Sequence, residues 1–126
     1  MKKIIQTKKA PAPIGSYSQA ILKGNMLYSS GQIASDPKTG SLVVGDIKAE
    51  TRLVMENLKA ILEAAEMTFD NVLKSSIFIS DMENFSKIDE VYATYFNEAS
   101  APARETVEVA NLPKYVNVEI SVIASL

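Results

Sequence analysis

Two runs near the end of the chain, Ala103-Arg104-Glu105-Thr106-Val107-Glu108-Val109-Ala110 and Val116-Asn117-Val118-Glu119-Ile120-Ser121-Val122-Ile123-Ala124, alternate with a period of two. Successive side chains of a strand point to opposite faces of a sheet, so parity assigns each residue a side. In the first run Val107 and Val109 share one side, and Arg104, Thr106 and Glu108 share the other. In the second, Val118, Ile120 and Val122 oppose Asn117, Glu119 and Ser121. The intervening Asn111-Leu112-Pro113-Lys114-Tyr115 has about the length of a hairpin loop, which predicts that these two strands pair antiparallel.

Upstream the period becomes helical. Ile47, Val54, Leu58, Ile61, Leu62 and Ala65 form one stripe, and Asp46 stands where a carboxylate can accept a free first-turn N–H. A second stripe, Phe85, Ile88, Val91, Tyr92, Tyr95 and Phe96, predicts a helix that opens near Asp81 to Asn84 and ends before Ala101-Pro102. Val72 to Ser80 between them reads as a strand. Nearer the start, Ile4-Ile5 and Met26 to Ser30 read as strands separated by a loop holding Pro11, Pro13 and Gly15. Asp36-Pro37-Lys38-Thr39-Gly40 reads as a tight turn leading into a short strand at Leu42-Val43-Val44. The sum is an α+β domain spanning residues 1–126, with both helices packed on one face of the sheet.

The 72–80 strand sets Leu73, Ile77 and Ile79 on one side and Val72 and Phe78 on the other, and two helices cover only one face. A second copy of the chain would cover the other face; the alternative is that Val72 and Phe78 sit at the sheet margin. Tyr28, Tyr92, Tyr95 and Phe96 are assigned to packing.

The composition excludes much chemistry. The 126 residues include no Cys and no His, so thiolate and imidazole ligands, Cys nucleophiles and every Ser-His-Asp or Cys-His arrangement are absent. What remains is carboxylates, Arg, Lys, Tyr, hydroxyls and backbone. The formal charge of -2 supplies no basic stripe for a nucleic acid. The apolar part of Met1-Lys2-Lys3-Ile4-Ile5-Gln6 is far shorter than the roughly 7 residues of a signal-peptide core, and no apolar run approaches a membrane span. The expected location is cytoplasmic.

Arg104 offers paired donors that match a carboxylate or phosphate; the plainer reading is an Arg on a wet face pairing with Glu108 or another acid. Glu119, flanked by Val118 and Ile120, either faces solvent or sits in a pocket whose low polarity raises its proton affinity and lets it activate water. Gly31 allows close approach to backbone amides, and Tyr17, Ser29 and Ser30 could orient a small polar molecule, or the segment is simply a strand ending in a Ser-Gly turn.

Several segments together resemble the YjgF/Rid family of reactive-intermediate deaminases, in its RidA-type branch. They are Ala12-Pro13-Ile14-Gly15-Ser16-Tyr17-Ser18-Gln19-Ala20, Ser30-Gly31-Gln32-Ile33, Pro102-Ala103-Arg104 with Val107 to Pro113, and Val118-Glu119-Ile120. The resemblance implies a chorismate-mutase-like fold with a mixed, mainly antiparallel sheet. It further implies a homotrimer with a pocket between neighbouring subunits. The implied activity is cofactor-free and metal-free hydrolysis of 2-imino acids and their enamine tautomers, such as 2-aminoacrylate and 2-iminobutanoate, to 2-oxo acids and ammonia. Pyridoxal-phosphate dehydratases release such substrates, so the role would be repair of metabolite damage. Arg104 would clamp the substrate carboxylate with help from the Gly31 N–H, and Glu119 would activate the attacking water. Tyr17 and Ser30 would line the pocket with Thr106 and Asp89. Relatives of this fold also suggest a non-enzymatic ligand-binding regulator or, less attractively for a His-free acidic chain, an endoribonuclease or translation inhibitor.

The chain departs from the family pattern in places. Thr106 stands where many relatives have Cys, and Asp89 replaces a frequent Asn, which adds a negative charge. Ser16 and Ala34 replace prolines. Glu66 follows the first helix where Gly is common, so a left-handed cap there would be strained.

Overall fold

Asp46 opens the first helix as expected, its carboxylate accepting from the backbone N–H of Lys48 at 2.9 Å and of Ala49 at 3.4 Å. The computed structural model, which describes residues 1–126, orders the elements as β1 (Lys3–Ile5), β2 (Ala20–Lys23), β3 (Met26–Ser29), α1 (Ile47–Ala64), β4 (Val72–Ile79), α2 (Phe85–Ala93), β5 (Ala103–Glu108) and β6 (Val118–Ser125). The strands form one sheet in the order β1-β2-β3-β6-β4-β5. Both helices belong to parallel crossovers, β3-α1-β4 with β6 inserted between its strands and β4-α2-β5. The two crossovers step in the same direction across the sheet. With the right hand that about 98% of such connections take, both helices fall on one face.

The last two strands do not form a hairpin. β5 runs parallel to β4, with Arg104 opposite Ser75 and Thr106 opposite Ile77, while β6 pairs antiparallel with both β3 and β4. Residue chemistry explains the exchange. β6, with Val118, Ile120 and Val122 buried, gains most from a central place, whereas β5 carries Arg104, Glu105 and Glu108 and suits an exposed edge. The connection passes the end of β4, where Val109 N–H donates to Ile79 O and Ser80 N–H donates to Asn117 O. Lys114 and Tyr115 make the return with φ of 55° and 56°, in the left-handed region.

Three other expectations change. Leu42 makes only an isolated bridge with Ser35, so residues 42–44 are not a strand. A β-bulge between Val72 and Lys74 resets the parity of β4, burying Val72 and leaving Leu73 52% exposed. The bulge adds an unpaired residue, so the alternation rule breaks there. Tyr28, assigned to packing, is exposed.

The core lies between the helices and the inner sheet face, where Val54, Leu58, Ile61, Ile77, Ile88 and Ile120 are fully buried. Each such side chain contributes roughly 1.5–3 kcal/mol over leaving it in water. The other sheet face carries Ile4, Tyr28 and Val107 exposed and Ile21, Phe78 and Ile123 half-buried. No helix is long and apolar enough to cross a membrane.

Candidate active site

Glu119 leaves β6 on the side away from the helices, since its neighbours Val118 and Ile120 fill the core. Segment 30–33 runs alongside β6 at this point. Gln32 and Ile120 exchange backbone hydrogen bonds of 2.8 and 3.1 Å, and the N–H of Val122 donates to Ser29 Oγ at 2.9 Å. This pairing sets Gly31 against the Glu119 carboxyl so closely that a Cβ there would overlap the carboxyl oxygen and its carbon. Only glycine fits with Glu119 in this position.

The hollow beside them measures about 420 Å³ and is lined by Tyr17, Ser30, Gly31, Ile33, Lys114 and Glu119 among others. Ser30 donates its hydroxyl proton to Ser18 O at 2.5 Å, so toward a ligand it can only accept. The Gly31 N–H spends itself on no partner within the chain. Neither does the Glu119 carboxylate accept a hydrogen bond, and burial raises its proton affinity above the usual carboxylate value. The wall is anchored from behind: buried Gln19 accepts from Thr7 N–H at 2.7 Å and donates to the carbonyls of Thr7, Ala10 and Pro11.

Arg104 leaves edge strand β5 on the helix side. Its Nη1 donates to Asp89 Oδ1 at 2.5 Å, and the guanidinium lies over the rings of Phe85 and Tyr92 at 5.5 and 5.3 Å from their centroids. Asp89, Tyr92 and Arg104 line a second hollow of about 560 Å³, together with Phe96 and Glu98. Burial pushes the Tyr92 hydroxyl's proton affinity up, and that hydroxyl donates to buried Ser75 at 2.9 Å. Thr106, on the Arg104 side of β5, has a hydroxyl oxygen that is buried and unpaired.

The expected site residues therefore fall into two groups. Tyr17, Ser30, Gly31 and Glu119 share the first hollow, Arg104 and Asp89 share the second, and Thr106 lines neither. Within one chain the two groups stand on opposite sides of the sheet. The structure adds residues that the sequence did not single out. Lys114 enters the first hollow through its left-handed backbone, for which no sequence signal exists. Buried Glu50 of α1 accepts from Asn117 N–H and Nδ2 at 2.8 Å each and from Val118 N–H at 3.3 Å, fixing the start of the strand that carries Glu119. No three acidic side chains converge as a metal site would require.

Residues 7–126 match the family described as Endoribonuclease L-PSP. The chain belongs to the YjgF/Rid family. A RutC family protein of Pyrococcus horikoshii is 56% identical to this Rid chain over 124 residues, which are 98% of each. The 2-iminobutanoate/2-iminopropanoate deaminase of Rattus norvegicus is 44% identical over 124 residues, 98% of this chain and 90% of that protein. Among solved structures, the Rid family protein YyfA of Yersinia pestis superposes with a TM-score of 0.97 at 48% identity over all of both chains. TdcF of E. coli, solved with bound serine, superposes at 0.93 with 43% identity over 98% of each chain. The Rid neighbours share this mixed six-stranded sheet and helix pair, so the fold expected from the resemblance holds.

Proposed function

We propose that this protein hydrolyses reactive 2-imino acids and their enamine tautomers to 2-oxo acids and ammonia, without a cofactor. The observation that carries the reading is the Glu119 carboxyl: unpaired, half-buried, and packed against Gly31, whose N–H has no partner in the chain, in a hollow sized for a small molecule. The rat deaminase, alike over nearly the whole chain, supports the reaction class, and serine in the E. coli relative supports a small amino-acid-like ligand.

The chemistry asks little of a catalyst. An iminium carbon is already electrophilic, so the protein must hold the carboxylate and aim one water at the C=N bond. Arg104 grips the carboxylate with its remaining N–H donors, assisted by the Gly31 N–H. Ionised Glu119 takes a proton from water as the water oxygen bonds to C2, and the C=N electrons settle on nitrogen. Glu119 returns that proton to the departing nitrogen, the carbinolamine hydroxyl releases its own proton back to Glu119, and C=O forms as C–N breaks. Ammonia departs and takes the proton from Glu119, so that one water is consumed, one ammonium ion leaves and the carboxylate is restored. Tyr17, Ser30 and Thr106 line the bound substrate.

Arg104 and Glu119 act together in this scheme only if the helix-side hollow of one copy meets the Glu119 hollow of another. A homotrimer with its pockets between subunits satisfies that demand. Such packing would also cover the apolar sheet face of Ile4, Tyr28, Phe78 and Val107. The test couples purified protein to a threonine dehydratase acting on threonine and follows release of 2-oxobutyrate. Wild type speeds the release and Arg104→Ala does not. A wild-type protein that binds 2-oxobutyrate without speeding its release is a ligand-binding regulator instead. RNA cleavage that survives extensive purification and vanishes in Glu119→Gln would overturn the assignment.

A further inference from the structure

The guanidinium offered to the substrate is already engaged by the chain's own carboxylate. Phe85, Asp89 and Tyr92 stand at i, i+4 and i+7 on α2, so one helix face supplies both the rings under Arg104 and the counter-charge at 2.5 Å. Glu98 lines the same hollow, leaving one cation facing two carboxylates. A plain anion site would show the reverse balance.

We propose that Asp89 is a built-in competitor for the Arg104 clamp, one that makes the site choose monocarboxylates over dicarboxylates. This rests on the reading of Arg104 as the substrate's carboxylate grip. Arg has five N–H donors and Asp89 takes one, so a second carboxylate can share the guanidinium. It then lies close to the carboxylate of Asp89 and is repelled by it. A 2-iminium acid offsets this repulsion with its own cationic nitrogen, whereas a dicarboxylate brings a further negative charge toward Asp89 and Glu98. Asn at position 89 would keep an oxygen for Nη1 and the stacking geometry while removing the charge. Because the Arg104 and Asp89 side chains are 30% and 40% exposed, solvent screens the effect, which makes it severalfold rather than a thousandfold.

The experiment titrates 2-oxobutyrate and 2-oxoglutarate, a monocarboxylate and a dicarboxylate, into full-length wild type, Asp89→Asn and Arg104→Ala by calorimetry, with thermal unfolding to confirm that each is folded. Asp89→Asn binds 2-oxobutyrate about 3-fold tighter and 2-oxoglutarate about 10-fold tighter, and the difference between the two gains shrinks at about 1 M salt, where the Debye length is near 3 Å. Weaker binding of both ligands by Asp89→Asn would show that Asp89 only positions Arg104, and equal gains would remove the selectivity; either result overturns the proposal. Arg104→Ala binding both ligands as well as wild type does would instead sink the clamp reading itself, and this proposal with it.

Discussion

The Glu119 carboxyl fills the space that any side chain at Gly31 would need. The Gly31 backbone is not in the left-handed region, so the demand for glycine there comes from the neighbour and not from φ. One residue thereby both leaves its N–H without a partner in the chain and seats the carboxyl.

Gly31→Ala should then leave the fold intact and push Glu119 aside. A displacement of about 1 Å at a reacting group costs on the order of 10²-fold in rate. We expect that loss in kcat/KM for 2-iminobutanoate, with a Tm within a few degrees of wild type. Full activity in the alanine variant would mean that Glu119 does not work from this position.

Burial raises the Glu119 proton affinity above the ordinary value of 4.5, so the folded chain holds this proton more tightly than the unfolded chain. Below 4.5 both states are protonated and the group is neutral to stability. As pH rises through 4.5 and then through the raised folded value, the folded state acquires a poorly hydrated charge and loses stability. Glu119→Gln carries no charge, so its Tm advantage over wild type should grow across that interval and then level off. Its kcat should fall by about 10²- to 10⁴-fold. A Tm difference that shrinks with rising pH would contradict the desolvation account.

Much of this was legible beforehand. The stripes of α1 and α2, the Asp46 cap, and the extents of β4 and β6 follow from periodicity and capping chemistry, which are local. Pairing partners are not local. The Asn111 to Tyr115 loop is hairpin-sized, yet it carries the chain past β4, because sheet order answers to burial across the whole face. β2 was missed because Ala20-Ile21-Leu22-Lys23 is too short to alternate, although the two residues Gly24-Asn25 before β3 are a hairpin signal. At the site, residue chemistry picked out Arg104 and Glu119, but parity alone could not reveal that they leave opposite sides of the sheet. The burial of Glu50 was invisible too, since its position in the first turn reads as an ordinary favourable charge.

Glu50→Gln tests that buried anchor. The carboxylate accepts three N–H bonds from Asn117 and Val118, and a Gln amide would turn its NH₂ against at least one of those donors. Leaving a buried donor unpaired and weakening charge-assisted bonds costs about 2–4 kcal/mol together. Urea unfolding should show a loss of that size. A change below about 0.5 kcal/mol, the level of an ordinary surface substitution, would remove Glu50 as the anchor of β6.

Glu66 offers the opposite sign. It follows α1 with φ of 59°, its N–H donates to Glu63 O at 2.9 Å, and the Met67 N–H donates to Leu62 O at 2.9 Å. This is the Schellman pattern, completed by the buried side chains of Met67 and Leu62 in the same core. The geometry wants glycine, because the left-handed region costs an L-residue about 1–2 kcal/mol. Glycine returns about 0.5–1 kcal/mol of that as extra unfolded-state entropy. Glu66→Gly should therefore gain about 0.5–1 kcal/mol and raise Tm by about 2–4 °C. A lower Tm would mean that the Glu66 side chain contributes more to the fold than its backbone strain removes.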